Sequence, residues 1–418
     1  MRDRLEPGPA LSPDDRDALA VLLAVHGLGP LTLERLVTRI GSPAQVLELA
    51  RSSGGAAAIR AATRSPDGEW STLPRAVAEG IVEATGAADQ ILADVRRLGL
   101  RLVAVADPDF PRRLRTIDIP PPALFVRGDV APLAADAVVA VVGTRRPSEA
   151  GRRVASRIAA ALTRAGATVV SGLAVGIDGA AHAAVVAEGG RTVAFIGGGH
   201  GRLFPRAHAR LAGAIVDAGG AVVSEYAPGT EPTKGTFPQR NRLISGSSDA
   251  VVVVEAGARS GALLTASWAL EQGRECFVVP GPIDALASAG CLGFLRDWHG
   301  AARIVAGVPQ LLDDLGLPAG AALRPVLPTG PGGTIVSASV APSSVAALLV
   351  EADPAQHAVA VAMLRGATTI DELVAVTGLT VAAVLGAVTR LESRGLVDGA
   401  QGRYRVVGRL AAAPAPAA

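Results

Sequence analysis

The 418-residue chain has almost no lysine: Lys234 is the only one, and every other member of its 40 basic residues is an arginine. Aromatic residues make up only 3% of the chain, which excludes a long surface on which many successive nucleobases stack. The net charge of +2 excludes a uniformly basic protein. Any surface for nucleic acid must therefore be a local patch.

Two cysteines, Cys276 and Cys291, are too few for a disulfide framework and lack the paired spacing of a metal site. The N-terminal residues MRDRLEPGPALSPDDRD have no apolar core of the kind found in signal peptides. The valine runs near 138–142 and 250–254 are too short to span a bilayer. We expect a cytoplasmic protein with reduced thiols, no membrane contact, no metal and no cofactor.

The length and the 49% of hydrophobic residues predict two or three globular domains. Residues 14–85 have apolar positions at helical spacing around the sequence Gly27-Leu28-Gly29-Pro30. Two short helices joined by such a turn resemble a helix-hairpin-helix or sterile-alpha-motif-like unit. In true helix-hairpin-helix modules the turn amides hold a DNA phosphate, whereas the neutral to acidic charge of this segment favours a packing domain.

Residues 100–316 alternate apolar, β-branched runs with helical patterns. This alternation predicts an α/β domain whose parallel sheet is covered on both faces, a doubly wound Rossmann-like fold. Ligands of such sheets bind outside the carboxyl ends of the strands. The predicted strands are 138–142, 168–171, 192–196, 221–224, 250–254 and 276–280.

Residues 317–356 are rich in Pro, Gly, Ala and Ser and predict a flexible linker. Residues 357–407 then give helix, glycine turn, helix and two short strands, the pattern of a winged helix. Its second helix offers only Arg390 and Arg394 as cations, beside Glu392. A partner-docking or dimerising role is therefore at least as well supported as base reading.

Three loops of small residues follow predicted strands: 143–148, 171–178 and 260–265. They lack both the GxGxxG and the GxxxxGK[ST] spacing, which argues against a dinucleotide fingerprint and a P-loop. Gly143 allows close backbone approach, and Arg145 adds a bidentate donor for a phosphate. Asp178 and His182 are spaced for an acid–base pair, but a helix cap beside an imidazole is the favoured interpretation.

The solitary lysine lies in PTKGTFPQRNRLISG, residues 232–246, just before the predicted strand 250–254. Lys234 would neutralise a phosphate, and Phe237 would either stack on a base or belong to the core. Arg240 and Arg242 lie two residues apart on a predicted helix and should point in different directions. The pattern predicts a phosphate-binding pocket with one or two stacking rings, and no catalytic residues.

The run of motifs resembles the DprA family, also called Smf. It comprises VVGTRRPSEAG, VVSGLAVGIDGAAH, GRLFPRAH, VVSEYAPGTEPTKGTFPQRNRLISG and VVVVEAGARSGALLTASWALEQGRECFVVPG. The resemblance covers residues 100–300 closely and the flanking units more loosely. It implies a homodimer, through the Rossmann-like domain, that binds single-stranded DNA and protects it during natural transformation. It also implies loading of the RecA recombinase, with displacement of single-strand-binding protein.

The resemblance carries the family's DNA pocket over to nine positions. Family members usually have a basic residue where this chain has Val175, so one phosphate contact is missing. The domain also resembles the cytokinin-activating phosphoribohydrolases, which makes a nucleotide-binding protein or N-glycosidic nucleotide hydrolase the alternative. That alternative is disfavoured because residues 255–261 lack the PGGxGTxxE motif. The nine DNA-binding positions are Gly143, Arg145, Ser171, Gly172, Lys234, Phe237, Arg240, Asn241 and Arg242.

Overall fold

The computed structural model describes residues 11–64, 72–318, 354–393, 396–400 and 403–406. These residues divide into two compact units, one within residues 1–325 and the other within 326–418. The predicted linker, 317–356, lies almost entirely outside the described residues.

The first unit begins with six helices that pack around one apolar core. Proline occupies the first turn of α1, α2 and α3, where its missing N–H costs no hydrogen bond. The side chains of Ser12 and Ser42 accept from backbone amides and cap α1 and α3. The helices continue beyond residue 85, to Arg97. Their bounds are α1 Pro13–Leu22, α2 Pro30–Ile40, α3 Pro43–Arg51, α4 Gly55–Ala62, α5 Arg75–Gly86 and α6 Ala88–Arg97.

A nine-stranded sheet follows, and it confirms the predicted α/β fold. Alternate residues of its third strand enter two different cores, which shows that both faces of the sheet are covered. Three short strands were not predicted: the first, second and ninth. The bounds are β1 Arg101–Ala104, β2 Ala123–Gly128, β3 Val138–Val142, β4 Thr168–Ser171, β5 Thr192–Phe195, β6 Ala221–Ser224, β7 Ala250–Val253, β8 Glu275–Val278 and β9 Ala302–Ile304.

The strand order is β1-β2-β6-β5-β4-β3-β7-β8-β9. In this order, the seven neighbouring strands that begin with β6 and end with β9 are parallel to one another. Strands β1 and β2 add an antiparallel edge. The chain moves from β3 to β4 on one side and places β7 on the other. The neighbours β3 and β7 therefore flank a topological switch point, where ligands of doubly wound sheets bind.

Among the described residues, eight helices accompany the strands of this sheet. The longest, α8, begins after Ser148, whose side chain accepts from the amide of Gly151. The bounds are α7 Arg112–Arg115, α8 Glu149–Arg164, α9 Ile177–Ala187, α10 Ala209–Asp217, α11 Thr236–Gly246, α12 Gly261–Glu271, α13 Ala289–Asp297 and α14 Val308–Asp314.

The second unit is the predicted winged helix. It comprises α15 Pro354–Leu364, α16 Ile370–Thr377, α17 Val381–Ser393 and the hairpin β10 Val397–Ala400 and β11 Arg403–Val406. Thr369 and Glu372 form a reciprocal capping box at the start of α16. Within the described ranges no single helix is long and apolar enough to cross a membrane, although the bent pair of α16 and α17 meets that test on length and composition alone.

Candidate nucleic-acid interface

A cavity of about 630 Å³ opens at the switch point between β3 and β7; we call it the crevice pocket. Its size is in the range that holds a nucleotide-sized ligand. The loop after β3, the loop after β7 and helix α11 each supply part of its wall. Its lining includes Gly143, Thr144, Arg145, Asp178, Phe237, Arg240, Asn241, Arg259, Ser260 and Thr265.

Glu255, two residues after the end of β7, fixes the loop that follows β3. Its carboxylate accepts from the amide and the hydroxyl of Ser148, at 2.9 and 2.5 Å, and its carbonyl oxygen accepts from the amide of Thr144 at 2.7 Å. Gly143 is needed here because a Cβ would lie 2.5 Å from a side-chain carbon of Ile177. Arg145 is thereby presented at the pocket from a tightly held backbone.

The loop after β4 lies beneath the pocket in an unusual conformation. Leu173 is fully buried and has a φ of 56°, a left-handed value that non-glycine residues seldom adopt. Gly176 has a φ of 94°, and a Cβ there would lie 2.4 Å from the carbonyl oxygen of Thr144. The carboxylate of Asp178 accepts from the amides of Gly172 and Ala174 at 3.2 and 3.4 Å. Backbone strain of this kind is typical of functional sites.

Arg240 is buried at the floor of the crevice pocket, with 4% of its surface exposed. Its Nη1 donates to the carbonyl oxygens of Gly172, at 2.6 Å, and of Phe195. Burial lowers the pKa of Arg240 to about 10, with Asp178 opposing the shift, so the guanidinium remains charged at neutral pH. Gly172 makes this arrangement possible because a Cβ would lie 2.6 Å from Nη1 of Arg240.

The ring of Phe237 lies at the centre of a cationic and aromatic cluster. The Cζ atoms of Arg145 and Arg240 lie 4.9 and 6.0 Å from its centroid, within the range of cation–π attraction. Phe204 packs against it with ring centroids 5.9 Å apart, and is itself half exposed. Phe237 is partly exposed and lines the pocket, so its ring is available to a flat ligand.

Lys234 lies in the exposed turn that leads into α11. The side chain of Thr233 organises this turn, because its hydroxyl oxygen accepts from the amides of Gly235 and Thr236 at 3.3 and 3.2 Å. Lys234 is three residues before Phe237 in the chain, and its side chain is exposed to solvent. A cation in this turn can neutralise the phosphate of a nucleotide whose base stacks on the ring of Phe237.

Comparison with known proteins agrees with this geometry. The family model for DNA recombination-mediator protein A matches residues 101–316, and the model for the DprA winged helix domain matches residues 341–403. The chain belongs to the DprA/Smf family.

Relatives of this chain match it over different shares of its length. The protein Smf of Synechocystis is 32% identical over 405 residues, which cover 91% of this chain and 96% of that protein. The DNA processing protein DprA of Bacillus subtilis is 41% identical over 194 residues, 46% of this chain and 65% of that protein. The crystal structure of DNA processing protein A from Streptococcus pneumoniae superposes with a TM-score of 0.57 and 29% identity, covering 71% of this chain and 97% of that one.

Among the nine positions carried over from the DprA family, five line the crevice pocket, and Lys234 lies in the exposed turn before α11. Gly172 lies below, where it holds Arg240. Ser171 is also below, fully buried, and donates to the carbonyl oxygen of Val141 at 2.6 Å. Arg242 points to the other side of α11 and pairs with Glu225, as expected from its spacing with Arg240. The five lining residues are Gly143, Arg145, Phe237, Arg240 and Asn241.

Sequence reasoning missed Arg259, an exposed cation in the loop after β7 that also lines the pocket. It precedes Ser260, whose hydroxyl oxygen accepts from the amide of Ala262 and caps α12. Its position in a loop of small residues after β7 could have indicated that it lines the pocket. With Arg145 and Arg240 it gives the pocket lining three guanidinium groups and one carboxylate, that of Asp178.

The conceivable acid–base pair of Asp178 and His182 is not formed. Asp178 is the second residue of α9 and not its N-cap, which is Gly176. The Nδ1 atom of His182 lies 2.8 Å from the hydroxyl oxygen of Thr192, while Asp178 contacts backbone amides. Within the described residues no three His, Cys, Asp or Glu side chains come together as metal ligands would.

Proposed function

We propose that this protein binds single-stranded DNA with one nucleotide in the crevice pocket. The observation that carries the proposal is the ring of Phe237, flanked by the guanidiniums of Arg145 and Arg240. Lys234 is three residues earlier in the chain and exposed. Such a ring can stack on any base, and the surrounding cations can neutralise phosphates. The faces of bases inside a duplex are occupied by their neighbours, so the pocket favours single strands.

A catalytic role has less support from the same site. The one acid in the segment 255–261 is Glu255, and its carboxylate is engaged by Ser148. It serves to hold the loop that presents Arg145. We propose binding, and not cleavage of the nucleotide, as the task of the pocket.

Membership of the family extends the proposal to partners. The protein would protect incoming DNA during natural transformation in the cytoplasm and load RecA onto it, displacing single-strand-binding protein. A RecA strand-exchange assay on DNA coated with single-strand-binding protein tests this step. Faster exchange with wild type than with Lys234→Ala supports loading, and no acceleration by wild type contradicts it.

We also propose a homodimer formed through the sheet domain. Strand β9 pairs with β8 on one side and, among the described residues, with no strand on the other. Ile304 on this edge is 56% exposed, and Trp298 nearby is 45% exposed. Sedimentation equilibrium of wild type and Ile304→Glu tests this: a dimer that the substitution converts to monomer supports the proposal.

The first experiment is fluorescence anisotropy with a labelled oligo-dT strand and a matched duplex over a salt series. Each phosphate neutralised on a single strand adds roughly 0.7 to the slope of log affinity against log salt. Lys234→Ala should bind more weakly, with a slope shallower by about that amount, whereas Lys234→Arg should retain both. Arg39→Ala, which removes an exposed charge on α2, is the matched control.

Equal affinity of wild type for strand and duplex would contradict the proposal. Unchanged binding by Lys234→Ala would place the DNA elsewhere on the surface. Release of a free base from AMP by wild type would instead support the hydrolase.

A further inference from the structure

A second cavity, of about 980 Å³, lies on the other side of α11; we call it the hairpin cleft. One wall is the turn between α1 and α2, residues 23–30, and the other is the segment 225–231 that follows β6. Helix α11 separates the two cavities. Phe237, Arg240 and Asn241 face the crevice pocket, while Thr236, Gln239 and Arg242 face the hairpin cleft.

A buried ion pair lies against this cleft. The Nη2 atom of Arg242 and the Oε2 atom of Glu225 are 2.5 Å apart, and both side chains are more than nine-tenths buried. Within the described residues, Nη1 of Arg242 and Oε1 of Glu225 have no hydrogen-bond partner. Buried polar atoms are seldom left unpaired, because each costs free energy when desolvated. The pair thus offers one donor and one acceptor to a ligand.

The surroundings of this pair suit a flat, partly apolar group. Tyr226 and Trp268 supply aromatic surface, and Val25 and Leu28 supply aliphatic surface. The Watson–Crick edge of every nucleobase has a hydrogen-bond donor next to an acceptor, which matches the unpaired carboxylate oxygen and guanidinium nitrogen. In a duplex that edge is already paired with the complementary base.

We propose that the hairpin cleft binds a second nucleobase of the same DNA strand. The inference rests on the proposed function of the crevice pocket. The start of α11 connects the two cavities: Thr233 and Gly235, on either side of Lys234 in sequence, line the cleft, and Phe237 lines the pocket. A strand that crosses the N-terminal end of α11 would place one base on each side and the intervening phosphate near Lys234. A peptide amide offers the same donor and acceptor, but this continuity favours DNA.

Photo-cross-linking tests the proposal with the full-length protein and an oligo-dT strand that contains 4-thiothymidine. Mass spectrometry should find adducts on Tyr226 or Trp268 in addition to adducts on Phe237. Gly29→Phe is designed to fill the cleft: Gly29 has a φ of −74°, and a Cβ there meets no atom within 4 Å. The variant should lose the adducts in the cleft, keep those on Phe237 and bind oligo-dT roughly tenfold more weakly, the loss of one stacked base.

Gly86→Phe is the matched control. Gly86 ends α5 at an exposed position, and an added Cβ meets nothing there either. The inference would be overturned if wild type gave adducts on Phe237 alone, or if Gly29→Phe kept both the affinity and the adducts of wild type. Either result would leave the proposed role of the crevice pocket intact, and a peptide segment would then be the ligand to test in the cleft. If wild type formed no adducts either in the cleft or on Phe237, the proposed function would be overturned as well.

Discussion

The guanidinium carbon of Arg145 lies 4.9 Å from the centre of the Phe237 ring. Arg145 belongs to the loop after β3 and Phe237 to helix α11, more than 90 residues later in the chain. The contact joins a cation from the switch point to the one aromatic ring among the residues that line the crevice pocket. Charge and stacking surface are therefore supplied by two separate elements at a single place.

Replacing the ring should weaken binding without removing charge. Phe237→Ala should reduce the affinity for oligo-dT by about 1–3 kcal/mol, the contribution of one stacked base. Its salt slope should remain that of wild type, because no cation is lost. Anisotropy over a salt series measures both quantities. Phe237→Tyr preserves the ring and should bind nearly as wild type, and a comparable loss in this variant would show that stacking is not the cause.

Gly197 supports the ring from below. A Cβ at this position would lie 2.7 Å from Cδ1 of Phe237. Gly197→Ala should therefore displace the ring and weaken oligo-dT binding severalfold, whereas the double variant with Phe237→Ala should bind no worse than Phe237→Ala alone. Anisotropy measures the affinity of wild type, of the two single variants and of the double variant. If the losses of affinity in the single variants added up in the double variant, Gly197 would act independently of the Phe237 ring. Gly213→Ala, where a Cβ meets nothing within 4 Å, is the matched control.

The sheet was predictable because buried β-branched runs such as 138–142 and 250–254 alternate with helical patterns of ordinary length. The strands β1, β2 and β9 were not predicted because an arginine interrupts the apolar run of each, which happens in none of the six predicted strands. The pocket-facing residues Arg145 and Phe237 could be found from their place after strands or beside a solitary lysine. The position of Ser171 below the pocket could not, because a small side chain gives no sequence signal for its direction.

Restoring a cation at Val175 should strengthen binding. Val175 lies in the loop after β4 and is 38% exposed, so a lysine side chain can reach solvent from it. Val175→Lys should raise the affinity for oligo-dT and steepen the salt slope by roughly 0.7, the value for one additional phosphate. Val376→Lys adds the same charge at an exposed position on α16 and is the control. An equal gain in both variants would indicate general attraction instead of a specific contact.

His182 should make the first unit sensitive to acid. Burial, followed by the charges of His208 and Arg240, lowers the pKa of His182 to about 3. Because Thr192 donates its hydroxyl to the carbonyl of Val169, its oxygen accepts from Nδ1–H of His182, and Nε2 has no partner among the described residues. The ring is thus buried in its neutral form, and protonation would place an uncompensated charge in the core.

The sign of the pH dependence follows from this lowered pKa. The unfolded chain binds a proton on His182 below about pH 6.5 and the folded chain does not until about pH 3, so stability is complete above pH 6.5 and falls with pH in between. Between pH 7 and pH 5 this residue should account for a loss of about 2 kcal/mol. In urea unfolding at both values, His182→Asn should lose about 2 kcal/mol less than wild type, whatever its stability at pH 7. Burial also lowers the pKa of His200, to about 4, so we expect the same result for His200→Asn. If both variants lost as much stability between pH 7 and pH 5 as wild type, burial of the neutral rings would be contradicted.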